Sequence, residues 1–179
     1  MDTSVKNYNL LTRAMHWLSA IVIVGLFAVG LWMVDLSYYS EWYRTAPHYH
    51  RSIGILLAIV TLFRFVWKHM SASPKPEGKN HEIIAAKLAH GAMYLLLITI
   101  FVTGYLISTS DGRGIEVFEW FTVPGAGELF PNQSDLAGEI HFYAAWAIVL
   151  IAGLHAVAAL KHHFIDKDNT LRKMLGASK

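Results

Sequence analysis

Three stretches of this sequence, residues 14–34, 88–110 and 140–160, contain no Asp, Glu, Lys or Arg at all. At about 1.5 Å of rise per residue, each is long enough to cross a hydrocarbon core roughly 30 Å thick. A helix of that length at a water-facing surface would carry a polar stripe, and these carry almost none. A fourth run, residues 52–67, is apolar except for Arg64. The expected fold class is therefore an all-α membrane protein, a four-transmembrane-helix bundle. Its spans are expected at about 12–34, 48–67, 86–109 and 138–164, in a single domain over residues 1–179, with the lipid bilayer as its first partner.

Charge placement orients the bundle. Lys6 and Arg13 precede the first span, and Arg64, Lys68, Lys75, Lys79 and Lys87 surround the link between spans two and three. Lys161, Lys167, Arg172, Lys173 and Lys179 follow span four. Only Arg44, Arg51 and Arg113 fall on the other side, beside Asp35, Glu41, Asp111, Glu116, Glu119, Glu128, Asp135 and Glu139. Basic residues collect on the cytoplasmic side, so N- and C-termini are expected in the cytoplasm and the acidic loops outside. The basic clusters are an orientation signal, and no nucleic-acid surface is expected. Pro74 and Pro76 keep the inner link from being helical. In the outer link, Ile115, Phe118 and Phe121 have the spacing of one face of a short interfacial helix.

Histidines carry the chemistry. In span four, His141 and His155 are 14 residues apart. That spacing puts them within roughly 40° of one face and about 21 Å apart along the axis. Each needs a partner at its own depth. His16, one turn into span one, matches the inner level of His155, and His50, opening span two from outside, matches His141. Ligating side chains inside a membrane are costly and mark function. Two facing imidazole pairs, one in each leaflet, are the axial ligation that two b-type haems need. The metal ligands expected are thus His16, His50, His141 and His155, with His48 the rival of His50.

Arg64 lies 14 residues after His50 on the same face, where a haem propionate would supply the anion it needs; Arg13 and Arg51 could serve likewise. His90 opens span three from inside, as a third-helix ligand or a quinone contact. His162, seven residues after His155, could protonate a quinone carbonyl beside the inner haem. His69 and His81 read as solvated loop residues. The chain has no cysteine, which excludes iron–sulfur clusters and the thioether attachment of c-type haem.

The segments "RAMHWLSA", "HYHRSIGI", "GEIHFYAAWA" and "GLHAVAALKHHFIDKDNTL" resemble the bacterial cytochrome b561 family of four-helix di-haem membrane proteins. The resemblance covers essentially the whole chain and is strongest in spans one and four. It implies two haem b bound between helices, and its motif histidines fall on His16, His50, His141 and His155. It also implies residence in the bacterial inner membrane and electron exchange with ubiquinone; one relative oxidises superoxide at the periplasmic face, and others anchor hydrogenases or dehydrogenases. The expected function is a di-haem b-type cytochrome moving electrons across the inner membrane between a periplasmic donor or acceptor and membrane quinone. The outer side has three basic residues against eight acidic ones, which favours a cationic redox partner over an anion such as superoxide. The alternatives are an anchor subunit relaying electrons for a separate dehydrogenase or hydrogenase, a superoxide:quinone oxidoreductase, and a haem-free metal transporter. The last leaves two ligand levels unexplained.

Overall fold

The apolar stretches become four long helices, each reaching further than its apolar core. The computed structural model describes residues 5–177. Helix α1 is Leu10–Val34, α2 is Trp42–Met70, α3 is Asn80–Thr109 and α4 is Gln133–Lys161. A π-helical turn, His162–Asp166, prolongs α4, and a short helix α5, Thr170–Leu175, closes the chain. All four long helices have the length and apolarity to cross a membrane. Leu18, Ile21, Val24, Leu150, Leu154 and Val157 point outward and stay largely exposed. Those are the side chains that lipid, not water, would cover.

Local chemistry sets the ends. The Asn9 side chain accepts the Thr12 N–H at 2.8 Å and starts α1. The Glu82 carboxylate accepts the Lys79 N–H at 2.8 Å and starts α3 before the expected residue 86. Helix α2 begins at Trp42, six residues ahead of expectation, with Pro47 inside it. Proline lacks an N–H and forfeits the bond to the carbonyl four residues back. Here that is one bond at Tyr43, which is half-exposed at the helix start.

Hydroxyls inside the bundle bond back to their own helices: Ser19 to the Met15 carbonyl at 2.6 Å, Thr99 to Leu95 at 3.0 Å and Thr109 to Tyr105 at 2.9 Å. A polar group without water must find its partner in protein.

The helices associate as two antiparallel pairs. Helix α1 packs along α2 and α3 packs along α4, while contacts between the pairs are fewer. At one end Trp67 donates to the Thr12 hydroxyl at 3.1 Å, and Lys161 pairs with Glu82 at 2.5 Å. The beginnings of α1 and α3 therefore lie level with the ends of α2 and α4, and both described termini sit at that end.

At the other end the expected interfacial helix is replaced by a hairpin. Strand β1 (Ile115–Val117) pairs antiparallel with β2 (Phe121–Val123), with Ile115 opposite Val123. The period-two signal overrides the period-three one, because Ile115 and Val117 are both buried and Glu116 between them is exposed. Phe118, counted on the helical face, instead takes a positive φ of 49° in the turn. A Cβ on Gly114 would fall 2.6 Å from the Val123 carbonyl oxygen, so the strands close only on glycine. The fully buried Ser52 pins this hairpin to α2, accepting the Phe118 N–H at 2.9 Å and donating to the Glu116 carbonyl at 3.3 Å.

Helix α5 folds back under the other end. Arg13 donates to the Leu175 carbonyl at 2.8 Å and the Trp17 indole to Met174 at 3.3 Å. Glu77 joins Lys173 at 2.5 Å and accepts the Asn169 N–H at 2.9 Å. The bonds from Lys173 and Asn169 hold the Glu77 carboxyl below its ordinary range. A depressed carboxyl stabilises the fold fully above its unfolded pKa of about 4.3 and loses that contribution as pH falls through the lower folded value. Amide exchange in residues 169–175 is therefore expected to accelerate on acidification below about pH 4, and Glu77→Gln to show that faster exchange already at neutral pH. Exchange in the Gln variant as slow as in the unaltered chain would contradict the assignment.

Candidate functional site

The histidines gather at two levels, as the depth argument requires. At the hairpin end, His50 on α2 faces His141 on α4, with ring centres 6.3 Å apart and planes inclined by 65°. Two imidazoles on opposite sides of one metal atom need roughly 6 Å between ring centres, given metal–nitrogen bonds of about 2.0 Å and the ring radius at each end. The pair therefore has the spacing for a single shared iron. Its rival His48 turns instead to the rings of Tyr49 and Phe118, at 5.6 and 6.4 Å.

Both rings of this pair lie against a glycine of the neighbouring helix. A Cβ on Gly30 (α1) would come 3.3 Å from His50 Cε1, and one on Gly104 (α3) would come 3.2 Å from His141 Cε1. In the sequence these glycines read only as residues permitting close helix contact; the structure makes them the floor under each imidazole. Gly104→Val should therefore displace the His141 ring and weaken occupancy at this level on the order of tenfold, the scale of support-residue losses at metal sites. Titrating the purified apoprotein with haem would measure it, and unchanged affinity would remove Gly104 from the site.

At the other level His16 (α1), His90 (α3) and His155 (α4) come together. His16 is close enough to Arg64, His155 and His90 to interact electrostatically with each. His90 and His155 lie 5.0 Å apart between ring centres, about 1 Å short of the roughly 6 Å that a shared metal atom needs. The sequence reading paired His16 with His155, and the structure adds His90 as their immediate neighbour. Among the described residues, the side chains of His16, His50, His90 and His155 make no hydrogen bond, and the Nδ1 atoms of His16 and His50 are buried without a partner. Leaving such groups unsatisfied in an apolar interior is costly. A set of neutral imidazoles open at one nitrogen is the donor chemistry of a bis-histidine haem. The residues present fit that group.

The other candidates fall in different places. Arg64 sits with the inner histidines. Arg13 is turned to the carbonyl of Leu175, and Arg51 is exposed with its Nε on the Pro47 carbonyl at 3.2 Å. His162 enters a charged cluster below the inner level. Its Nδ1 lies 2.6 Å from Asp168 and 3.2 Å from Asp166, and Lys161 bridges Asp166 at 2.7 Å and Glu82 at 2.5 Å. Burial alone would raise the Asp168 carboxyl, but bonds from the Thr170 backbone N–H and from His162 outweigh it and hold the group below its ordinary range. Glu82, His162 and Asp166 could together approach a metal ion, yet the Lys161 ammonium already supplies a cation there. The sequence reading missed Asp168 and Thr103. A carboxylate six residues beyond a histidine carries no helical-face signal, and a threonine in an apolar span reads as filler.

Two stacked histidine levels in a four-helix membrane bundle agree with what sequence comparison finds. Residues 7–177 match the family described as Prokaryotic cytochrome b561. The chain belongs to that family. It is 49% identical to Cytochrome b561 homolog 2 of Escherichia coli, over 97% of this chain and 93% of the relative. It is 28% identical to the Probable superoxide oxidase CybB of Yersinia pestis, over 95% and 96% of the two chains. With Cytochrome b562 of Cereibacter sphaeroides it shares 26% identity over 97% and 98%. A prokaryotic cytochrome b561 is a membrane-embedded b-type cytochrome of electron transport, so haem b binding and a redox role follow from membership.

Proposed function

We propose that this cytochrome b561 holds two haem b, one at each histidine level, and carries electrons across the bacterial inner membrane between an outer redox partner and membrane quinone. The observation that carries the reading is the His50–His141 pair, which spans the seam between the two helix pairs at 6.3 Å. His16 and His155, from opposite pairs, hold the inner position. Bound haem supplies reversible one-electron iron chemistry, and the surrounding chain sets where that chemistry sits and how readily it runs.

The residues divide the work by depth. His50 and His141 hold the outer group behind the hairpin, while Arg64 compensates anionic charge at the inner level, the part given to a propionate. Below it, Asp168 holds His162 through Nδ1 at 2.6 Å, which leaves Nε2 as the nitrogen to serve a quinone carbonyl as it is reduced. Both termini lie in the cytoplasm by the distribution of Lys and Arg.

At the outer end, Arg113 is already paired with Asp111 at 2.6 Å, which leaves the acidic surface short of free positive charge. That favours a cationic redox partner over superoxide, although a relative carries the name of a probable superoxide oxidase.

A dithionite-reduced-minus-oxidised spectrum of detergent-purified protein, with pyridine haemochrome quantification, tests the proposal. Low-spin b-type bands at two haems per chain, reducible by a quinol analogue, are expected. Colourless protein from haem-replete cells would overturn it.

A further inference from the structure

The two ligands at the outer level are not supported alike. His141 Nδ1 lies 3.0 Å from the Ile100 carbonyl oxygen and 3.1 Å from Thr103 Oγ1, both on α3. His50, on the other side of the same position, makes no hydrogen bond, and its Nδ1 is buried without a partner.

We propose that Thr103, with the Ile100 carbonyl, is a positioning residue that lowers the reduction potential of the outer haem through His141 alone. The inference rests on the haem reading of His50 and His141 given above.

The direction follows from proton bookkeeping. A carbonyl oxygen only accepts, so the bond to Ile100 puts the ring hydrogen on His141 Nδ1 and leaves Nε2 as the nitrogen open to iron. A threonine hydroxyl has one proton to give. Thr103 Oγ1 is 2.7 Å from the Thr99 carbonyl and 3.2 Å from that of Ile100, and donating to a carbonyl leaves its lone pair facing the His141 N–H. Two acceptors on one ring hydrogen fix the tautomer and ring orientation and make the imidazole a stronger base. A more basic ligand favours the ferric over the ferrous state, which lowers the potential.

Thr103 is buried at 5% exposure, so little water replaces its bond. Gly104, next in the chain, supplies the clearance, since a Cβ there would sit 3.5 Å from His141 Nδ1. Among the described residues, no hydrogen bond of this kind reaches His16, His90 or His155. The effect is therefore specific to one level.

Spectroelectrochemical titration of both haems in the purified protein tests this, with His141→Ala identifying the outer haem by its loss. Thr103→Val, equal in shape but without the hydroxyl, should keep two haems and raise only the outer midpoint. The reduced-to-oxidised ratio at the original midpoint should rise on the order of threefold, about 28 mV at 59 mV per tenfold for one electron. Thr103→Ser should restore it. Loss of the outer haem in the Val variant with retention in the Ser variant supports the same role. An unmoved outer midpoint in Thr103→Val, an equal shift of both haems, or a Ser variant that behaves like Val would overturn the proposal while leaving the two-haem reading intact. Unaltered protein without haem would overturn that reading and this one with it.

Discussion

The His141→Ala protein is expected to carry one b-type haem where the unaltered chain is proposed to carry two, and His50→Ala is expected to match it. Each removes one of two imidazoles whose ring centres stand 6.3 Å apart, and the outer level has no spare ligand beside it, because His48 is engaged with Tyr49 and Phe118. The fold should outlast the loss. Helix α4 keeps its packing along α3, and its first turn stays tied by Gln133, which is fully buried and donates to the Leu106 carbonyl at 2.9 Å. Helical content by circular dichroism should therefore stay unchanged while pyridine haemochrome absorbance halves. Two haems retained in either variant would show that these histidines are packing residues, and the outer level would need other ligands.

A second large effect is expected at the inner level, where three histidines compete for two positions. His16→Ala and His155→Ala should each lose the inner haem, and His90→Ala should keep both. The physical reason is the seam. His90 and His155 belong to helices of one packed pair and approach to 5.0 Å, which leaves too little room for a metal atom between them. His16 reaches the same level from the other pair, across the looser contact. A two-haem His16→Ala protein beside a one-haem His90→Ala protein would reverse the assignment and make His90 the ligand.

The same residues show how far sequence alone reaches. Apolar length fixed the existence of the four helices, because a bilayer imposes a thickness that few other patterns satisfy. Depth was also readable, since rise per residue converts positions 141 and 155 directly into levels. Boundaries were less so. The second span was expected to start at 48, yet α2 begins at Trp42 with Pro47 inside it, because one forfeited bond near an exposed end is tolerable. The hairpin was misread as a helix, since Ile115, Phe118 and Phe121 satisfy a three-residue spacing while Ile115 and Val117 satisfy a two-residue one. Only Gly114 and the docking of Phe118 on Ser52 decide between them. Arg13 was given a part beside a haem from its position one turn before His16, and its contact with Leu175 depends on a tail that folds back from 162 residues away. Thr103 illustrates the deepest limit. Its importance lies in an oxygen lone pair aimed at a ring on another helix, and no pattern within α3 encodes that direction.

The division into two helix pairs bears on how the chain comes into being. Each pair leaves the ribosome as a consecutive hairpin, α1 with α2 and then α3 with α4, so its closest partner is the next segment to be inserted. The larger helix surfaces can be matched before the halves meet. What remains for the last stage of biogenesis is the seam, and both proposed prosthetic groups lie in it. Haem would then act as the mortar between prefabricated halves, and cells starved of it would accumulate inserted but unjoined chains, exposed to membrane proteases until the pigment arrives.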